Sequence, residues 1–350
     1  MRIRLTRFIS ISLTMLMLLQ VPLFALSEGQ AKPKEITNAL SYLAGTVDGR
    51  WTSVAENAAG NIPEKTVAIN ALQQAKNNLK AYTNVTDIAH DVLTLSACGY
   101  DVNSLEGTDL IAKLCGYEGM LLQGANGPIF SLIAIDSRNY AIPQNAKWSR
   151  EALCNSILSF QKGDGGFSLN GNMDSDVDIT AYALIALSPY SNDSNISNVI
   201  NKAVQWLSNH QNNDGSFSSM GVSCCESTAA VITALICLGI PVNNELFTKE
   251  GISAYQALLT FQNGDGGFKH IQDGSSDTLA TEQAVMALSA VCFGKSPFKL
   301  ATVAPPAQKL SNPVLIVLIS VACLALIGLA VILIYTIVRR NRLKKAGFQV

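Results

Sequence analysis

The 350-residue sequence predicts an all-α repeat architecture, and three observations lead there. A motif returns at a fixed interval, each copy is followed by a second apolar run, and the runs have helical spacing. The motif is Leu158-Ser-Phe-Gln161-Lys-Gly-Asp164-Gly-Gly-Phe167. It recurs as Leu207-Ser-Asn-His-Gln211-Asn-Asn-Asp214-Gly-Ser-Phe217 and as Leu259-Thr-Phe-Gln262-Asn-Gly-Asp265-Gly-Gly-Phe268. Gln161 and Gln211 are 50 positions apart, and Gln211 and Gln262 are 51. The second runs open at Thr180, Thr228 and Thr281. A self-similar period of this size marks stacked units that bury their apolar faces on one another.

Each unit reads as helix, glycine-rich turn, helix. In the middle copy Ala203, Val204, Trp206 and Leu207 have helical apolar spacing before Asp214-Gly-Ser ends the run. Glycine accepts the left-handed backbone that stops a helix. The second helix is expected to open on Asp178-x-Thr180 or Glu226-x-Thr228, where short polar side chains cap free amides and acids favour the positive end of the helix dipole. Gln161, Gln211 and Gln262 are expected to hold helix ends, with Phe167, Phe217 and Phe268 packed beside them.

Gln-x-x-Asp-Gly-Gly-Phe followed by a Thr-capped apolar helix resembles the repeat of squalene and oxidosqualene cyclases, of protein prenyltransferase β-subunits and of the helical domain of cobalamin carriers. The resemblance covers Trp148–Phe293 and is fainter over Glu35–Asn145, where Asn126–Asp136 still looks like one inner helix. It implies an α/α toroid, an outer ring of helices around an inner ring with a ligand cavity at the centre. It does not choose among functions, because the superfamily holds enzymes and binders. The β domain with which cobalamin carriers close over their ligand has no counterpart here.

Taken in order, the chain begins with Arg2, Arg4 and Arg7, then an apolar run from Phe8 to Leu26. Ala25-Leu-Ser27 has the small residues a signal peptidase needs, so residues 1–27 are expected to be a signal peptide; an uncleaved anchor is the alternative. Two apolar helical patterns flank the Gly60-Asn-Ile-Pro63 turn, and Thr86–Leu95 is another candidate inner helix. Residues 28–300 have room for five to six units, enough to close a ring as one domain. Pro297, Pro305 and Pro306 make Ser296–Asn312 read as a stalk, with residues 301–312 beyond the repeat domain. Pro313 opens the uninterrupted apolar run Val314–Val338, long enough at about 1.5 Å per residue to span roughly 30 Å of hydrocarbon. Residues 313–338 are therefore expected to be a transmembrane helix. Arg339, Arg340, Arg342, Lys344 and Lys345 follow in residues 339–350, a basic tail that belongs in the cytoplasm and leaves the repeats outside the cell.

The overall net charge of −1 hides an asymmetry. All 26 acids lie between the signal and the span, against 17 of the 25 basic residues, so the expected exported part carries −9. Such a domain is a poor binder of nucleic acid or anionic lipid. Seven of the eight cysteines lie in the repeat domain, mostly within apolar runs, and are expected to be buried thiols and not a disulfide framework. Asn84, Asn192 and Asn195 head glycosylation sequons that would matter only in a eukaryotic secretory pathway.

Asp174-Ser-Asp176-Val-Asp178-Ile-Thr180 is the sharpest chemical candidate. It resembles the Asp-x-Asp-Asp-Thr-Ala motif of squalene-hopene-type cyclases. Matched through Thr180-Ala181, that resemblance places Asp176 first and Asp178 at the proton-donating middle position, with Ile179 replacing the third acid. Protonating an alkene needs a carboxylic acid kept protonated in an apolar cavity. The plainer reading is that these acids serve a helix start. The acid triplet fails the EF-hand pattern, because Ile179 and Ile185 stand where Gly and Glu are required. Cys224-Cys225-Glu226 lacks the spacer that zinc ligands use, and His270 follows a glycine turn instead of opening an inner helix. No metal and no cofactor is expected.

Three functions remain open. The first is a surface-anchored module that binds a small apolar ligand or a partner protein, with Asp178, Thr180, Tyr182, Glu226, Thr228, Thr281 and Glu282 as candidate binding residues. The second is a terpenoid cyclase- or mutase-like isomerase with Asp178 and Asp176 catalytic. The third is a structural surface protein with a filled centre. An enzyme should line its cavity with aromatics to stabilise carbocations, and near the inner helices the sequence offers few, Phe130, Tyr182 and Phe293, which argues against a cyclase.

Overall fold

The computed structural model describes residues 32–46 and 50–306. The expected signal peptide, transmembrane run and basic tail lie outside the described residues. Among those described, no helix is long and apolar enough to cross a membrane.

Six helices form the inner ring: α2 (Thr52–Ala58), α4 (Val85–Ala97), α6 (Asn126–Asp136), α8 (Val177–Leu187), α10 (Cys225–Cys237) and α12 (Thr278–Phe293). Each packs on the next, and α12 packs back on α2, which closes the ring. Six more lie outside: α1 (Lys34–Ala44), α3 (Lys65–Asn78), α5 (Leu110–Cys115), α7 (Arg150–Leu158), α9 (Ser194–Asn209) and α11 (Ala254–Leu259). They pack on α12, α4, α4, α6, α8 and α10 respectively. The fold is mostly helical and α/α toroid-like. The inner helices have little amphipathic character because they are covered on both sides. In α4 every residue from Ile88 to Ala97 is buried, including His90 and Asp91. The outer helix α9 instead buries one stripe, Ile196, Ile200, Ala203, Val204 and Leu207, and shows water the other.

The all-α expectation needs one correction. Three two-stranded antiparallel hairpins are present: β1 (Phe217–Ser219) with β2 (Val222–Cys224), β3 (Thr248–Lys249) with β4 (Ile252–Ser253), and β5 (Phe268–Lys269) with β6 (Ser276–Asp277). The first and third arise because the chain doubles back between a glycine turn and the next inner helix. The apposed segments then pair their backbone groups.

The repeated residues knit units together. Gly165, Gly215 and Gly266 have φ of 99°, 81° and 91°, a backbone that only glycine adopts readily. The preceding aspartates accept from amides two residues on, Gly166, Ser216 and Gly267, at 3.1, 3.0 and 3.0 Å. Each glutamine amide donates to its own turn and to the next outer segment. Gln161 reaches Val199 O (3.0 Å), Gln211 reaches Phe247 O (3.0 Å), and Gln262 reaches Glu35 O (2.9 Å), so the last copy closes the outer ring onto the first helix. Phe167, Phe217 and Phe268 are fully buried.

The start of the segment expected as a stalk is part of this body. Residues 296–301 cross the ring at the C-terminal ends of the inner helices. Asn57 donates to Ala301 O (3.2 Å) and accepts from Ala301 N (2.9 Å), Arg138 donates to Ala301 O (2.8 Å), and Leu300 N donates to Ser137 O (3.2 Å). Phe298 and Leu300 are buried. All seven cysteines of the repeat domain are free thiols; five are buried as expected, while Cys237 and Cys292 are only half-buried.

Candidate functional site

The centre of the ring is occupied by the protein's own side chains. Trp51 stacks on Phe130 at 6.2 Å, Phe130 meets Tyr182 at 5.1 Å, and Phe298 from the crossing segment abuts Trp51 edge-on at 6.5 Å. Tyr182 OH lies 3.5 Å from Gln283 Oε1. The space left among Tyr182, Ile185, Thr233, Gln283, Met286 and Phe298 is about 10 Å³. That is near the roughly 10–15 Å³ a single water needs. Phe293 ends α12 beneath Lys295 and is not among these central rings. Two larger clefts are present: one of about 260 Å³ beside the crossing segment, sharing Ile185 and Phe298 with the central space and reaching Cys237 and Lys295, and one of about 400 Å³ between α3 and the helices α2 and α4.

Among the expected site residues, the three threonines serve the repeat. Thr180, Thr228 and Thr281 are fully buried, and their hydroxyl oxygens accept from the amides of Phe167, Phe217 and Phe268 at 2.8, 3.0 and 2.8 Å. Asp176 is the N-cap of α8 and accepts from Ile179 N at 3.0 Å, so the cap is this acid and not Asp178. Glu282, fully buried, accepts from Trp51 N (2.9 Å) and Thr52 Oγ1 (2.6 Å) and thereby joins α12 to α2. Burial pushes its carboxyl up to about 7 against the opposing pull of the Thr52 and Trp51 donors.

Asp178 and Glu226 remain, and the structure brings them together at the N-terminal ends of α8 and α10. Asp178 Oδ1 is buried and has no hydrogen-bond partner. Burial pushes this carboxyl up to about 6; the charges of Asp176 and Glu226 add to the rise, while the hydroxyls of Ser227 and Ser219 oppose it. Burial also raises Glu226, opposed by His270, whose Nδ1 lies 2.8 Å from Glu226 Oε2. Tyr182 lies close enough to both acids that their charges join burial in pushing its hydroxyl up. The neighbouring loops are tied together here: Ala125 N donates to Leu169 O (2.8 Å), and Cys225 N donates to His270 O (2.9 Å). Chemically this end of the ring is a partly desolvated pair of carboxyls, one able to hold a proton near neutral pH, with one buried oxygen that the fold leaves unpaired. Among the described residues no group of three or more His, Cys, Asp or Glu side chains is placed to hold a metal ion.

Sequence reasoning weighed His270 only as a zinc ligand and missed Ser219 and Phe298. His270, after β5, and Ser219, in β1, come close to Glu226 and Asp178 only through the tertiary fold. Phe298 falls in the stretch expected as a stalk, because the prolines around it mask any periodicity.

Comparison with known proteins bears on the fold. Residues 132–230 match the family model of the A-macroglobulin TED domain, and residues 219–304 match that of the prenyltransferase alpha-alpha toroid domain. A drimenyl diphosphate synthase of Streptomyces showdoensis is 31% identical over 138 residues, which cover 38% of this chain and 25% of that enzyme. The chain thus matches about a quarter of that relative's length. The solved Candida albicans protein geranylgeranyltransferase-I complexed with GGPP aligns at 14% identity and a TM-score of 0.48, covering 77% of this chain and 94% of that one. The ent-copalyl diphosphate synthase of Streptomyces platensis aligns at 16% and 0.44, covering 74% and 50%. The likeness expected from the Gln–Asp–Gly–Phe repeats is shown: over residues 219–304 this chain carries the prenyltransferase-type α/α-toroid pattern.

Proposed function

We propose that the chain is a binding module, displayed outside the cell on a C-terminal membrane helix, that engages its ligand or partner protein at the open, acidic end of the ring. One observation carries this reading. The space among the central side chains Tyr182, Gln283, Met286 and Phe298 is about 10 Å³. Pockets that take drug-sized molecules run to roughly 300–1,000 Å³. The unpartnered carboxyl oxygen of Asp178 lies instead beside the loops at the mouth. A surface of this kind suits a partner that lays down side chains better than a substrate that must be engulfed. The display part of the proposal is supported by the sequence: the basic and apolar start, the apolar run Val314–Val338 and the five basic residues after it.

A second reading is a cyclase- or mutase-like isomerase with Asp178 as general acid. It is favoured by that carboxyl's rise to about 6 and by the likeness to a drimenyl diphosphate synthase. Native mass spectrometry before and after incubation with squalene, prenyl diphosphates and corrinoids separates the two. A ligand mass retained unchanged supports the binder. A consumed substrate with a new isomer, abolished by Asp178→Asn, supports the enzyme and overturns the binder.

A further inference from the structure

The β1–β2 turn is built at a cost. Met220 and Gly221 occupy its two central positions with φ of 48° and 82°, the left-handed pair that closes a two-residue hairpin. That geometry favours Asn, Asp or Gly at the first position and disfavours other side chains. The same left-handed pair recurs at Glu106-Gly107 (49°, 79°) and Glu250-Gly251 (48°, 83°), each time with a charged, water-seeking residue first. At residue 220 the first position is methionine, and it is 100% exposed. An apolar side chain in a strained position, wholly in water, gains nothing from the fold. Val222, Met173 and Leu279 are also apolar and 52%, 49% and 40% exposed. These four belong to the segments that lead into α8, α10 and α12, around the same end of the ring.

Charge decides what would cover this patch. The segments 168–178, 217–226 and 269–279 hold six acids against Lys269 and His270, and His270 is engaged by Glu226. Like charge disfavours a second copy of the chain or an anionic lipid surface here. The excess of carboxylates in these segments, with the Glu226 side chain 15% exposed among them, attracts a cation instead.

We infer that Met220, Val222, Met173 and Leu279, set around Asp178 and Glu226, form a docking surface for a partner-protein segment that carries a lysine or arginine between apolar side chains. This rests on the binding-module reading and names the class of partner. The apolar side chains cover the methionines, and the cation lies between the carboxylates.

The test uses the full chain in nanodiscs of zwitterionic lipid, with empty discs as the blank, and fluorescence anisotropy of labelled five-residue peptides. The peptide Leu-Lys-Leu-Lys-Leu is expected to bind, and Leu-Glu-Leu-Glu-Leu and Ser-Lys-Ser-Lys-Ser are not. Met220→Ser and Glu226→Gln should each weaken binding about tenfold or more, and only the Glu226→Gln loss should shrink at high salt. Equal binding of the acidic or the serine peptide, or an unchanged affinity in Met220→Ser, overturns the partner class. The binding-module reading survives that result if native mass spectrometry retains a ligand. If no peptide binds, the docking surface falls; if the mass spectra are also unchanged by every compound, the binding-module reading falls with it. Peptide-independent dimerisation abolished by Met220→Ser would make the occupant a second copy and overturn the assignment.

Discussion

The two ends of the ring are built from the same helices and treated in opposite ways. At the C-terminal ends of the inner helices, residues 296–301 lie across the opening, pinned by Asn57, Arg138 and Ser137, and send Phe298 into the centre. Near the N-terminal ends lie three carboxyls that burial raises, Asp178, Glu226 and Glu282, at the starts of α8, α10 and α12. The closed end adds apolar burial and hydrogen bonds to the fold, with Arg138 Nε left unpaired. The open end holds a desolvated, unpartnered carboxyl oxygen, which destabilises.

That contrast is broken most severely by removing its central side chain. Phe298→Ala should cost about 3–5 kcal/mol, as large-to-small changes in cores do, and should open a chamber that takes up an apolar dye. Thermal unfolding with and without the dye checks both halves; an unchanged Tm would show that Phe298 is not a core residue.

A titration sharpens the contrast next. Glu282 closes the ring with a carboxyl whose folded value, about 7, lies above its ordinary 4.5. The stability linked to it is therefore fully present below pH 4.5 and is lost as pH rises through 7, by about 3 kcal/mol at most. Glu56, also raised to about 7 by burial, adds a loss of the same sign. Denaturant unfolding should show the chain less stable at about pH 8 than at about pH 5, and Glu282→Gln should flatten part of that slope. An identical slope in the variant would mean that Glu282 does not titrate in this window.

Smaller effects follow at the two ends. Asn57→Ala removes both hydrogen bonds to Ala301 and should cost about 1–3 kcal/mol, with faster proteolysis of the crossing segment. Met220→Ser should leave Tm within the change expected of about 0.5 kcal/mol, because its side chain supports no packing, whereas Asp178→Asn, which removes a buried charge, should raise stability above about pH 6. A large loss of stability in either would place that residue in the structural half of the comparison.

Much of this was legible in local sequence. Asp-Gly-Gly-Phe and the threonine beyond it act over 11 to 13 positions, through Phe217 N to Thr228 and Phe167 N to Thr180. The bounds of α6, Asn126–Asp136, match the inner helix read from the sequence. The candidate acids were legible as a cluster, but their division of labour was not. Asp176 and Asp178 are two positions apart on one helix start, yet one caps its own helix and the other meets Ser227, Ser219 and Glu226 from the neighbouring unit.

The sequence by itself determined the helical repeat, its period, its turn chemistry and the placement of glycine at the left-handed turn position, because these rest on backbone and side-chain preferences within one unit. Only the tertiary structure decided that the ring closes with six inner helices, through Gln262 to Glu35 and Glu282 to Thr52, contacts 227 and 230 residues apart. It also decided that a proline-flanked phenylalanine fills the centre and that the acids divide into structural and free. Burial sets those outcomes, and burial depends on which distant segments the closed ring brings together.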